Sequence, residues 1–221
     1  MDTYYGGIAD ARARRGTLVG QVMGLLAFSL LFTAGGALIG PRLGPGAIIL
    51  SLVGSVGCLI ALFFARSKPG LNLALFYAFS VFEGLALGLI VEAYVARGLG
   101  GLVTNAALTT AGLTMALGAY AWTTKRDLSG LQGYLMAGLL AIIVAGLISI
   151  FIPMPTMFHL LLSVGTAVIF SGFVLFDIQR LRYAEGGMQD AVWLAVSIYL
   201  DIFNLFLAIL RIFGMLGSSD E

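Results

Sequence analysis

The stretch Ala191–Ile212, AVWLAVSIYLDIFNLFLAILRI, decides how this chain is read. A helix needs about 20 apolar residues to cross the hydrocarbon core of a bilayer, and this run has that length. Near its middle stands Asp201. A carboxylate at such depth costs roughly 2.5–3.5 kcal/mol on insertion scales, so its presence points to a use. On a helix Asp201 shares a face with Ser197 (i−4) and Asn204 (i+3), and the same face continues to Ala208 and Arg211. This polar stripe on an apolar helix predicts a segment turned toward protein rather than lipid. A purely structural interhelical hydrogen bond is the alternative, although Ser, Thr or Asn would supply one at lower cost.

Working outward, the rest of the chain has the same character. Hydrophobic residues make up 60% of the 221 and charged residues 10%, with a mean hydropathy of +1.02. A soluble domain carries about 25% charged residues, so these values identify an integral membrane protein. The apolar runs do not alternate with polar residues as the strands of a membrane barrel do, which leaves an all-α protein. Seven segments approach spanning length, at about 17–39, 46–65, 71–95, 104–122, 131–152, 157–176 and 191–212. Gly40-Pro41-Arg42-Leu43-Gly44-Pro45 and Pro153-Met154-Pro155 read as tight turns between them. No connection is long enough for a soluble domain, so residues 1–221 are expected to form one polytopic membrane domain. The fifth run is almost free of polar side chains and is expected to face lipid.

Lys and Arg set the expected orientation. With the N-terminus cytoplasmic, the inner ends hold Arg12, Arg14, Arg15, Arg66, Lys68, Lys125, Arg126, Arg180 and Arg182, against Arg42, Arg97 and Arg211 outside. The expected location is the cell (inner or plasma) membrane, with a short cytoplasmic tail only if the last segment is re-entrant. The first run exceeds the 7–15 residues of a signal-peptide core and is read as a span. The net charge of +1 gives no attraction to nucleic acid.

Further candidates lie in the other runs. Asp177 ends the sixth, in Phe173-Val174-Leu175-Phe176-Asp177-Ile178-Gln179-Arg180. It is either a solvated carboxylate beside Arg180 and Arg182 or a partner for Asp201. Paired aspartates could hold a proton between them, or offer oxygen ligands to a hard cation such as calcium. Depth counting opposes contact: Asp177 looks close to the inner surface and Asp201 about 15 Å deep, at 1.5 Å per residue. Contact requires the sixth helix to run on, or the seventh to start lower. Glu83 sits at mid-span beside Gly84 and Gly88, whose spacing lets a neighbouring helix approach closely. Arg66 is either an ordinary snorkelling cation or the counter-ion of an aspartate. The single histidine, His159, and the single cysteine, Cys58, have no metal-ligand or disulfide partners in sequence. Phosphate-loop, zinc-protease and nucleophile-elbow motifs are missing, so no enzyme and no cofactor is expected.

The two aspartate motifs, Phe176-Asp177-Ile178-Gln179-Arg180-Leu181 and Ile198-Tyr199-Leu200-Asp201-Ile202-Phe203-Asn204-Leu205-Phe206, resemble the C-terminal signature of the Bax inhibitor-1 (transmembrane Bax inhibitor motif) family. The run Phe82-Glu83-Gly84-Leu85-Ala86-Leu87-Gly88 is similar to a further family element, and the compact loops look bacterial. The resemblance implies a seven-transmembrane helix bundle with the C-terminal helix central. It implies a pH-dependent calcium leak in which Asp177 and Asp201 form the proton-sensing pair and Arg66 latches the closed state. It also implies that some members bind and restrain a membrane-bound, ATP-dependent protease. The expected function is therefore a pH-sensitive calcium (cation) leak channel in the lipid bilayer. Asp177, Asp201 and Arg66 would gate it, and Glu83, Asp201, Asn204 and Ser197 would line the path. A candidate calcium site lies at Asp177 and Asp201. A non-conducting protease regulator and a proton-coupled cation exchanger are the alternatives.

Overall fold

The computed structural model describes the backbone of residues 2–66 and 68–217, and side chains from residue 16 onward except those at 67 and 69. The side chains of Arg12, Arg14 and Arg15, and the tail beyond Gly217, lie outside the described residues. Seven helices follow in order: α1 (Asp2–Leu43), α2 (Gly46–Phe64), α3 (Pro69–Ala96), α4 (Gly100–Thr123), α5 (Leu131–Phe151), α6 (Thr156–Tyr183) and α7 (Met188–Gly217). Each contains a segment long and apolar enough to cross a membrane. The protein is thus an all-α, multi-pass membrane protein. Large apolar side chains such as Ile49, Phe64, Leu108, Ile150 and Phe151 stand exposed, as lipid-facing positions require.

Two helix ends differ from the sequence expectation for a clear reason. The expected turn beginning at Gly40-Pro41 is helical, and α1 continues to Leu43. The reversal falls at Gly44, whose φ of +60° suits a residue without a Cβ. Pro41 lies inside α1, and the carbonyl it leaves without an amide, that of Ala37, is the atom a Cβ at Gly88 of α3 would strike. The sixth helix does not stop at residue 176 but runs on through Ile178-Gln179-Arg180-Leu181-Arg182-Tyr183, and the seventh begins at Met188. α7 is unbroken over 30 residues, about 45 Å at 1.5 Å per residue, which exceeds the bilayer core.

The helices cluster into two compact units. The first holds residues 1–97 and 181–199, the second 98–180 and 200–221, so α6 and α7 contribute to both. In the first unit α3 packs on α1 and α2. Gly36 and Gly40 of α1 abut the backbone of Val81 and Leu85, while Gly84 and Gly88 of α3 abut the backbone of Thr33 and Ala37. A Cβ at any of the four would strike a carbonyl oxygen. In the second unit Gly118 of α4 meets the tip of Ile178, Gly138 of α5 meets Ile169, and Gly172 of α6 meets Leu135. α7 is the most enclosed helix: 61% of its most apolar window is buried, against 6% for α5.

Candidate functional site

The extension of α6 decides where Asp177 lies. The residue is not at a helix end but inside α6, six residues before Tyr183. It is 5% exposed, as is Asp201. The expectation that the sixth span ends at residue 176 is therefore corrected: its amphipathic continuation is helical, which is the condition under which contact with Asp201 was expected. The carboxyl groups of Asp177 and Asp201 are hydrogen-bonded to each other within the second unit. A hydrogen bond between two carboxyl oxygens needs a proton on one of them, so this geometry belongs to a pair that holds a proton in common.

The surroundings of the pair are asymmetric. Asp177 has a cation on its own helix: Arg180 Nη1 lies 3.9 Å from Asp177 Oδ1, and the Arg180 side chain is 54% exposed. Asp201 has the opposite environment, for its Oδ2 is buried with no hydrogen-bond partner. An uncompensated carboxyl oxygen in a low-dielectric interior is costly, and such groups concentrate where something is to be bound or released. On its own helix and within the same unit, Leu205 and Ala208, one and two turns on from Asp201, are also buried.

The other predicted residues are distributed differently. Asn204 turns back on its own helix, its Nδ2 donating to the Leu200 carbonyl at 2.8 Å. Ser197 is half-buried and belongs to the first unit. So does Glu83, which is half-buried and hydrogen-bonded to Ser55 of α2. Arg66, also of the first unit, is exposed at the end of α2 with its guanidinium 5.4 Å from the centre of the Trp193 ring. That stacking is a cation–π contact, whereas the cation beside Asp177 is Arg180. Among the described residues no three acidic, histidine or cysteine side chains gather as a resident metal site would require.

Two residues escaped the sequence reading. Tyr199 is almost fully buried in the first unit, its hydroxyl 2.7 Å from Thr33 Oγ1 of α1. Its ring is held edge-on by Phe76 and Phe79 at 5.9 and 5.8 Å between centroids. Gln179 reaches the α4–α5 connection with both ends of its amide: Leu128 N donates to its Oε1 at 2.7 Å, and its Nε2 donates to the Arg126 carbonyl at 2.8 Å. A tyrosine hydroxyl within an apolar run, and a glutamine within an amphipathic helix end, were the available signals. Neither names its partner.

Comparison with known proteins identifies the family. Residues 15–218 match the family model Bax1-I, described as inhibitor of apoptosis-promoting Bax1. A membrane protein of Vibrio cholerae is 34% identical over 200 residues, covering 89% of this chain and 88% of its own. The Escherichia coli protein named modulator of FtsH protease YccA is 34% identical over 190 residues, covering 86% of this chain and 84% of its own. A Golgi anti-apoptotic protein of vaccinia virus is 35% identical over 168 residues, covering 76% of this chain and 68% of its own. With a family model spanning nearly all of its length and relatives above 30% identity, the chain belongs to the Bax1-I family.

Proposed function

We propose that this protein is a proton-regulated cation leak pathway, with calcium as the permeant ion and the Asp177–Asp201 pair as its switch. The observation that carries the proposal is the buried hydrogen bond between the two carboxyl groups. While the pair holds its proton, α6 and α7 are bonded in mid-membrane. When the proton leaves, two negative charges face each other in a medium that screens them poorly, and they are driven apart. The same loss frees the carboxylate oxygens of the bond, which join Asp201 Oδ2, already without a partner. Calcium prefers six to eight oxygen ligands. Two carboxylates supply only part of that shell, which suits an ion in transit with most of its water rather than a resident metal. Glu83, bonded to Ser55, is a second polar position along a span. The excess of Lys and Arg at one set of helix ends supports a cytoplasmic N-terminus.

Purified protein in dye-loaded liposomes tests this reading. Calcium entry is expected to rise with pH as the pair loses its proton. Asp201→Asn keeps the shape of the side chain and removes the charge, so it should flatten that dependence. Flux equal to empty liposomes at every pH would sink the channel reading.

A second reading is favoured by a specific relative. The Escherichia coli protein at 34% identity is named a modulator of FtsH protease. In that reading the pair sets the shape of a non-conducting membrane regulator that binds a membrane protease. It predicts that removing residues 1–15 changes turnover of a protease substrate and that Asp201→Asn leaves ion flux at background.

A further inference from the structure

The segment joining α4 and α5, residues 124–130, has no helix of its own, yet its backbone is gripped from α6. Gln179 accepts from the Leu128 amide and donates to the Arg126 carbonyl, at 2.7 and 2.8 Å. A primary amide used this way pairs with backbone as a neighbouring strand would, so the grip does not depend on which side chains the loop carries. Gln179 is itself buried, which shields both bonds from water. The loop is also stiffened from within: Ser129 N and Ser129 Oγ each donate to the Asp127 carboxylate at 2.9 Å. Residues 126–129 therefore move as one piece.

The other end of this connection is the switch. On one helical turn α6 carries Asp177, bonded to Asp201, then Gln179, bonded to the loop, then Arg180, 3.9 Å from Asp177. Residues two apart on a helix are about 3 Å apart along its axis and cannot shift independently. We propose that Gln179 is a positioning residue that ties the α4–α5 loop to the Asp177–Asp201 pair, so that the loop is displaced when the pair breaks. This rests on the reading of the pair as the switch. The charged groups beside Asp177 are Asp201 from α7 and Arg180 from α6, and the clamped loop carries Lys125, Arg126 and Asp127, all exposed. Asp127 is no rival sensor: the Ser129 hydrogen bonds hold its carboxyl below the usual carboxylate range. The consequence is a lever at the membrane surface. A ligand that holds the loop biases the pair, and the pair's protonation changes what the loop presents.

Amide hydrogen exchange of the full chain in liposomes, corrected for intrinsic rates, tests the coupling without relying on conduction. The protection of the Leu128 amide is expected to change with pH in the wild type and to become independent of pH in Asp201→Asn. Protection that is flat with pH in the wild type, with flux still titrating, overturns the coupling and leaves the channel reading in place. Protection that titrates and is flattened by Asp201→Asn, with no flux anywhere, supports the coupling and removes the channel. Gln179→Met keeps the length and drops both bonds. It should speed exchange at Leu128 about tenfold and move the pH midpoint of the pair; faster exchange with an unmoved midpoint marks a merely structural clamp and overturns the proposal. Should Gln179→Met fail to fold, Gln179→Glu replaces it. Its acid form can keep both bonds and its ionised form only the one from Leu128, so retention of the Arg126 tie at high pH overturns the proposal as well.

Discussion

Between α1 and α3 the glycines bring backbone against backbone; between α5 and α6 they leave room for the tip of a side chain. In the first unit a Cβ at Gly36, Gly40, Gly84 or Gly88 would meet a carbonyl oxygen, which has nowhere to go unless the whole helix moves. In the second unit a Cβ at Gly138 or Gly172 would meet the terminal methyls of Ile169 or Leu135, which can rotate away. The same residue type thus builds a rigid contact in one place and a deformable one in another. The deformable unit is the one that contains the aspartate pair, and the moving part of a two-state protein is drawn from such regions.

The largest expected effect breaks this comparison if it fails. Gly84→Ala should cost about 3 kcal/mol or more, since overpacking here cannot relax, while Gly172→Ala should cost under about 1 kcal/mol. Thermal unfolding in detergent measures both, and equal losses would mean that the two contacts are alike. Tyr199→Phe comes next. It removes the bond to Thr33 at 2.7 Å but leaves Thr33 bonded to the Ser29 carbonyl, so a loss of about 0.6–1 kcal/mol is expected. A much larger loss would show that the hydroxyl, and not the ring between Phe76 and Phe79, fixes α7 in the first unit.

How much of this was open to sequence reading depends on the range of each interaction. Asp177, Asp201 and Glu83 stand out because a charge in an apolar run is conspicuous whatever surrounds it. Gly84 and Gly88 were read as a close-packing face, but their counterparts Gly36 and Gly40 were not, for one helix does not reveal which neighbour it meets. The sixth span was bounded at residue 176, where the apolar run stops, and the amphipathic continuation 178–183 left its extension open. The partners of Gln179 there, Arg126 and Leu128, lie 53 and 51 residues earlier, beyond the reach of a local pattern. The Thr33–Tyr199 bond spans 166 positions and follows from packing alone.

A smaller effect sharpens the comparison at the end of α2. Trp193→Leu removes the ring beneath Arg66, and a loss of about 0.5–1 kcal/mol is expected for this exposed cation–π contact. An unchanged melting temperature would reduce Arg66 to an ordinary surface cation. The smallest expected effect is none. Asp127 has its carboxyl lowered, first by the backbone bond from Ser129 and then by the Ser129 hydroxyl. Its contribution is therefore present above the unfolded-state value and is lost only as pH falls through the lower folded value. It stays constant over about pH 5–8. Asp127→Asn should leave the pH midpoint of flux where it is; a flattening like that expected of Asp201→Asn would place a sensor in the loop.

The four glycines between α1 and α3 also constrain how this sequence can drift. Every other amino acid carries a Cβ, so any replacement at Gly36, Gly40, Gly84 or Gly88 puts an atom where a carbonyl oxygen already lies. Relief at one position requires the two helices to separate, which empties the other three contacts. The four positions thus act as one unit, and a replacement at one would require the whole seam to be rebuilt.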